Sequence, residues 1–148
     1  MGSPQRLYSL LNRLEKLAND RIELFVGKAA EAQTGLMADL NRDQLNDGIK
    51  SDGTPITPAY KPQTIAIKKK QGKPYNKVTL LDKGPFQASI KAKRKGGVFE
   101  LAATDKKTEA LKEKYSEEIE GLTDQSLAIV SQKMLPSIIR QSKNYLKP

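Results

Sequence analysis

The stretch ASIKAKRKGGVFELAA, residues 88–103, decides the fold class of this chain. Ala88, Ile90 and Ala92 alternate with Ser89, Lys91 and Lys93, the period of two that a strand with one wet face requires. Gly96 and Gly97 supply a turn, and Val98–Ala103 returns with Phe99 and Leu101 on one side. Two such runs around a glycine pair predict a β-hairpin. A lone hairpin is marginal in water, so this one must pack on helices or join a larger sheet. Just upstream, Val78–Leu81 has strand composition and Gly84–Pro85 marks a turn, which extends the predicted β region to residues 78–103.

Helical patterns flank that region. Ser3 and Pro4 form a start signal, a hydroxyl cap followed by proline at the first helical position. Leu7, Leu10, Leu11, Leu14, Leu17, Ala18, Ile22, Phe25, Val26 and Ala29 then recur at three- and four-residue steps. Gln33 interrupts the stripe before Leu36, Met37 and Leu40 resume it, and Asn46, Asp47 and Gly48 end it. An unbroken helix of this length would run roughly 60 Å. That is too long to pack on so small a core, so a break near Gly27 or Gly35, or a projecting segment, is expected. Residues 51–62 carry Gly53, Pro55, Pro58 and Pro62 and read as a loop, with a short helix from Pro62 to Lys70 stopped by Gly72 and Pro74. After the hairpin, Thr104 and Asp105 cap a helix bearing Ala110, Leu111 and Tyr115. Thr123 and Asp124 cap a last helix with Leu127, Val130, Met134 and Ile138 on one stripe, kinked at Pro136. The expected architecture is α+β in a single domain over 1–148. It comprises a helical arm (1–47), an extended loop with a short helix (48–77), the β region (78–103), and C-terminal helices (104–148), the last packed on a small antiparallel sheet.

Composition removes whole classes of chemistry. The 148 residues contain no cysteine and no histidine, so disulfides, thiolate nucleophiles and imidazole acid–base catalysis are excluded. No apolar run approaches the roughly 20 residues that span a bilayer, and residues 1–17 lack the continuous apolar core of a secretion signal. With 37% hydrophobic and 5% aromatic residues the core is lean, a composition that favours stabilisation by a partner or by self-association.

The net charge of +9 is concentrated. Between Lys61 and Lys95 ten lysines and Arg94 face a single acid, Asp82, for a local charge of +10. Lys68, Lys69, Lys70, Lys73, Lys77, Lys91, Lys93, Arg94 and Lys95 are the candidates for contact with nucleic acid or the lining of a DNA channel. Arginine is scarce among them, which argues against base-edge readout. The bland alternative is lysines on the wet faces of a helix and a hairpin. Glu117, Glu118, Glu120 and Asp124 lie close in sequence, yet their spacing matches no calcium loop and they read as a solvated turn. Ser89 and Lys91 lack the strained elbow that a serine–lysine dyad needs. No enzymatic activity, cofactor or metal is expected.

Leu81, Gly84, Phe86, Ser89 and Ile90, followed by the glycine-turned hairpin, resemble a Leu-x-x-Thr-Gly-x-Leu-x-x-Ser-Ile signature. Tyr115, Ile119, Gly121, Leu122, Thr123 and Asp124 resemble a Phe-Leu-Gly-Leu-Ser/Thr element before a terminal helix. Both are features of the tail-completion or minor tail proteins of tailed bacteriophages, also called virion morphogenesis or head–tail connector proteins. The likeness spans roughly residues 45–146. Lys83 stands where that signature has threonine, Pro85 follows the glycine, and a Pro-Arg pair usual before the second element is missing. The resemblance implies a structural virion protein made in the host cytoplasm. It would act as one subunit of a homo-oligomeric neck or tail ring, between head-connector and tail proteins, around packaged DNA and away from any membrane. Residues 49–77 and the first helix would meet neighbouring subunits, with Tyr60, Ile65 and Phe86 as candidate contacts. The alternative expectation is a nonspecific nucleic-acid-binding protein acting through residues 61–95.

Overall fold

The N-terminal apolar repeat folds as two helices, α1 (Pro4–Glu31) and α2 (Thr34–Asn46), broken where Gln33 interrupts the stripe. In the computed structural model of the chain residues 4–147 are described, with side chains from Ser9 onward except at 10, 14 and 17. The expected Ser3 cap therefore lies outside the described residues, as do the side chains of Leu7, Leu10, Leu14 and Leu17. At the break, the Gln33 amide donates to the Ala30 carbonyl at 2.9 Å and the Thr34 hydroxyl to that of Glu31 at 3.1 Å. Gly48, at φ +75°, closes α2 as expected of a helix-ending glycine.

The fold is α+β: a long N-terminal helix, a two-stranded antiparallel sheet and a C-terminal helix against it. After an irregular loop comes α3 (Pro62–Lys70), with proline in its first turn and Gly72 at φ +65° just beyond its end. The strands are β1 (Lys91–Lys95) and β2 (Val98–Ala102), turned by Gly96 and Gly97 and paired Ala92 to Leu101 and Arg94 to Phe99. These four residues share the inner face. Ala92, Phe99 and Leu101 pack with Ala30, Met37, Val130 and Met134, which brings α1, α2 and α6 (Asp124–Tyr145) together over one side of the hairpin. Thr123 caps α6, its hydroxyl accepting from the Ser126 amide at 3.2 Å, and the helix continues through Pro136.

Three expectations are corrected. Val78–Leu81 is not a strand, although Val78, Thr79 and Leu80 are buried. Its backbone bonds to side chains instead of a ladder. The Thr79 amide donates to the Tyr60 hydroxyl at 3.1 Å, the Thr79 carbonyl accepts from Gln87 at 2.8 Å, and the Leu81 carbonyl accepts from Lys68 at 2.8 Å. Ala88 and Ser89 are not in a strand either. Residues Pro85–Ser89 form a helical turn, α4, because Gly84 at φ +97° lets the chain reverse and Pro85 has the φ a helix start needs. The helix α5 (Thr108–Tyr115) begins later than Thr104 and Asp105 suggest. Asp105 shapes the preceding turn, its carboxylate accepting from the Lys107 amide at 2.9 Å.

The larger core cluster joins Ala38 and Leu45 of α2 to Ile56, Val78, Leu80, Phe86, Ile90, Tyr115 and Ile119. Tyr145, near the end of α6, meets Phe25 edge to face at 6.1 Å and lies under Arg21, while Ala30 and Val130 belong to one core cluster further along. The two helices are thus antiparallel, and residues 4–20 of α1 run on past the end of α6, a projection of roughly 25 Å at about 1.5 Å per residue.

Candidate functional site

The nine basic candidates fall on different elements with different surroundings. Lys91, Lys93 and Lys95 alternate along the outer face of β1 and are exposed, with Lys95 also 3.4 Å from Glu100. Arg94 points the other way. Its guanidinium lies against Gly27, where an added Cβ would meet it at 2.9 Å, and pairs with Glu31 at 3.6 Å, fastening the hairpin to α1. Lys73 bonds Asp82 and Lys77 pairs with Asp47 at 3.6 Å. Lys69 lies over the Tyr75 ring, and Lys70 is exposed at the end of α3. Lys68 is buried, 7% exposed, with its ammonium on the Leu81 carbonyl and over the Tyr60 ring at 4.7 Å. The basic segment is therefore not one continuous patch of free ammoniums: Lys69, Lys70, Lys91 and Lys93 are exposed without an ion pair among the described residues.

The expected subunit contacts are placed inward. Phe86 is 4% exposed in the core, so this chain already covers its ring. Tyr60 is half-buried with its hydroxyl engaged by Thr79, and Ile65 is half-buried on α3. The apolar side chains left exposed are elsewhere, among them Leu11, Ile22, Leu24 and Val26 on α1 and Leu135, Ile139 and Leu146 in and after α6. Every side chain described from Ser9 to Leu24 is exposed.

The acidic run between α5 and α6 holds the fold. Glu117 lies 2.7 Å and Glu120 3.5 Å from the Lys112 ammonium, and the other Glu120 oxygen accepts from the Ala103 amide at 2.8 Å. The bond to Glu117, with the charges of Glu120 and Glu109, holds the Lys112 ammonium above its ordinary pKa against the opposing effect of burial. Glu118 takes the Ser51 hydroxyl. Ser89 is equally structural: its hydroxyl donates to the Phe86 carbonyl and accepts from the Thr104 and Asp105 amides.

Sequence reasoning missed a buried polar face on α2. Asn41 donates to the Ile119 and Gly121 carbonyls, while Gln44 donates to Gly121 and accepts from the Thr123 amide. Arg42 donates to the Gln87 and Ile90 carbonyls at 2.9 and 3.0 Å, satisfying groups at the end of α4. Polar residues between leucines read as a solvent face, and nothing local shows that their partners lie so far along the chain.

A cavity of about 570 Å³ opens between α3, the turn at 80–86 and α5. Its apolar wall includes Leu80, Phe86, Leu111 and Tyr115, and its cations are Lys68, Lys83, Lys106 and Lys107. Asp82 at its edge is shared by Lys73 and Lys107. Among the described residues no group of three histidine, cysteine, aspartate or glutamate side chains is placed to hold a metal, and no helix is long and apolar enough to cross a membrane. Comparisons with family models, with curated proteins and with solved structures returned no match.

Proposed function

We propose that the chain is a non-enzymatic structural subunit of a tailed-phage virion, acting in head–tail joining or tail completion within a homo-oligomeric ring. The observation that carries the assembly part of this reading is the leading half of α1. It extends beyond α6 with its described side chains exposed, Leu11 among them, and Ile22, Leu24 and Val26 follow it. An amphipathic helix that outruns its own core suits packing against a neighbour. The virion part rests on the motif resemblance around Gly84–Ile90 and Tyr115–Asp124. Within those motifs the helical turn launched at Gly84, the Ser89 hydrogen bonds and the Thr123 cap have structural roles, as a scaffold subunit requires. Lys91 and Lys93 would supply shape-driven, sequence-independent contact with DNA in the channel.

The test is disruption of the encoding gene in its source genome, complemented in trans, with electron microscopy of the lysate. Separated heads and tails, rescued by the full chain and not by a chain lacking residues 1–20, are the expected outcome. Intact infectious particles without the gene would overturn the virion reading and bring forward the nucleic-acid alternative. That alternative predicts tight monomeric binding to duplex DNA that falls steeply as salt rises.

A further inference from the structure

We infer that the cavity between α3, the turn at 80–86 and α5 is a docking pocket for an acidic segment of a partner protein, one that carries an apolar side chain next to its carboxylates. The key residue is Lys68. Its side chain is largely buried, its ammonium donates to one carbonyl and rests on one aromatic face, and it belongs to none of the ion pairs among the described residues. An ammonium has three donors and this one spends a single hydrogen bond on a carbonyl, so the lysine keeps capacity for a carboxylate entering the cavity.

Beside it lie Leu80, Phe86 and Leu111, a wall suited to an aliphatic or aromatic anchor. A volume of about 570 Å³ is within the range of ordinary ligand pockets and larger than one side chain needs. At the rim, Lys83 and Lys106 are exposed without an ion pair among the described residues, whereas Lys107 and Lys73 are occupied with Asp82. Cationic charge thus stands at two depths, one lysine in the wall and two outside. A single small carboxylate meets only one of them. A peptide with an apolar residue flanked by acids meets both, and the complementarity sets partner choice and on-rate as well as affinity. The inference does not depend on the virion reading, since it concerns purified protein and any partner of this chemistry.

The test uses the purified full-length chain and a fluorescein-labelled probe peptide, acetyl-Glu-Asp-Leu-Phe-Asp-Glu-amide, at physiological salt. Two controls are the Gln/Asn version of the same peptide and a six-residue oligoglutamate. Saturable binding is expected, with amide shifts in α3, the 80–86 turn and the first turns of α5. Each control should bind about tenfold or more weakly, a difference near 1.4 kcal/mol. Lys68→Met should weaken the probe by about tenfold, and the exposed pair Lys83→Ala/Lys106→Ala by about fivefold, the rim pair with its melting temperature held near that of the parent. If Lys68→Met does not fold, the rim pair still decides. Equal binding of the neutral peptide, equal binding of oligoglutamate, amide shifts away from the cavity, or no binding at millimolar probe would each overturn the inference. Displacement by short duplex DNA as effective as by unlabelled probe would overturn it too, assigning the lysines to phosphate.

Discussion

At Gly121 the backbone turns with φ +134°, and a Cβ there would stand 2.9 Å from that of Ser51, which itself donates its amide to the Glu118 carbonyl. Gly121→Ala therefore meets both a forbidden conformation and a close neighbour, and is expected to lower stability by roughly 1–3 kcal/mol in urea unfolding. Lys112 behaves differently. Removing its charge in Lys112→Met leaves the largely buried Glu120 without its counter-charge, while the exposed Glu117 turns to water, an expected cost of roughly 1 kcal/mol near neutral pH. Because folding raises the pKa of Lys112, its contribution is fully present below the ordinary lysine value and is lost as the pH rises through the raised one. Urea midpoints of parent and variant should thus converge only in strong alkali. Asp52 shifts the other way, its pKa lowered first by the Thr54 hydroxyl, and its contribution disappears as pH falls below the carboxylate range. Residues such as Thr123 and Gly48 were legible in the sequence because caps and turns depend on immediate neighbours. Asn41, Gln44 and Lys68 were not, since a polar residue becomes a buried tether only through partners the chain brings from elsewhere.

The segment 78–81 shows at the scale of an element why composition can mislead. Val78 and Leu80 are buried as a strand's residues would be, but no strand among the described residues receives the backbone, and Tyr60, Gln87 and Lys68 bond it instead. Tyr60→Phe removes the acceptor of the Thr79 amide while keeping the ring. It is expected to cost roughly 1 kcal/mol and to speed hydrogen exchange at Thr79 far more than in the hairpin. Unchanged exchange at that amide would show that the hydroxyl does not hold it. The hairpin itself was legible from the glycine pair and alternation, though β1 starts only at Lys91 because Pro85 commits the preceding residues to a helical turn. The break between α1 and α2 was legible only approximately: it falls at residues 32–33, close to Gly35, where the apolar stripe is lost at Gln33, whereas Gly27, the other position expected, lies inside α1.

For the whole molecule, the α+β layout followed from periodicity, whereas the separation of the basic residues did not. Period-two alternation puts Lys91, Lys93 and Lys95 on one face of β1 and sends Arg94 to the other, so a charge run in sequence is divided in space. The arm and the body are energetically separable on this structure. Deleting residues 1–20 is expected to leave the melting temperature within about 3 °C of the parent, because the described side chains removed are exposed and the Phe25–Tyr145 contact is kept. A large loss would show that the segment packs on its own body. The same geometry governs how the protein moves through water. A rod fixed to one side of a globule feels more drag than a sphere of equal mass and tumbles faster about the rod's axis than end over end. A single copy should therefore leave a gel-filtration column earlier than its 16.4 kDa warrants. Light scattering, which weighs the particle whatever its shape, would then return the mass of one chain for the same peak.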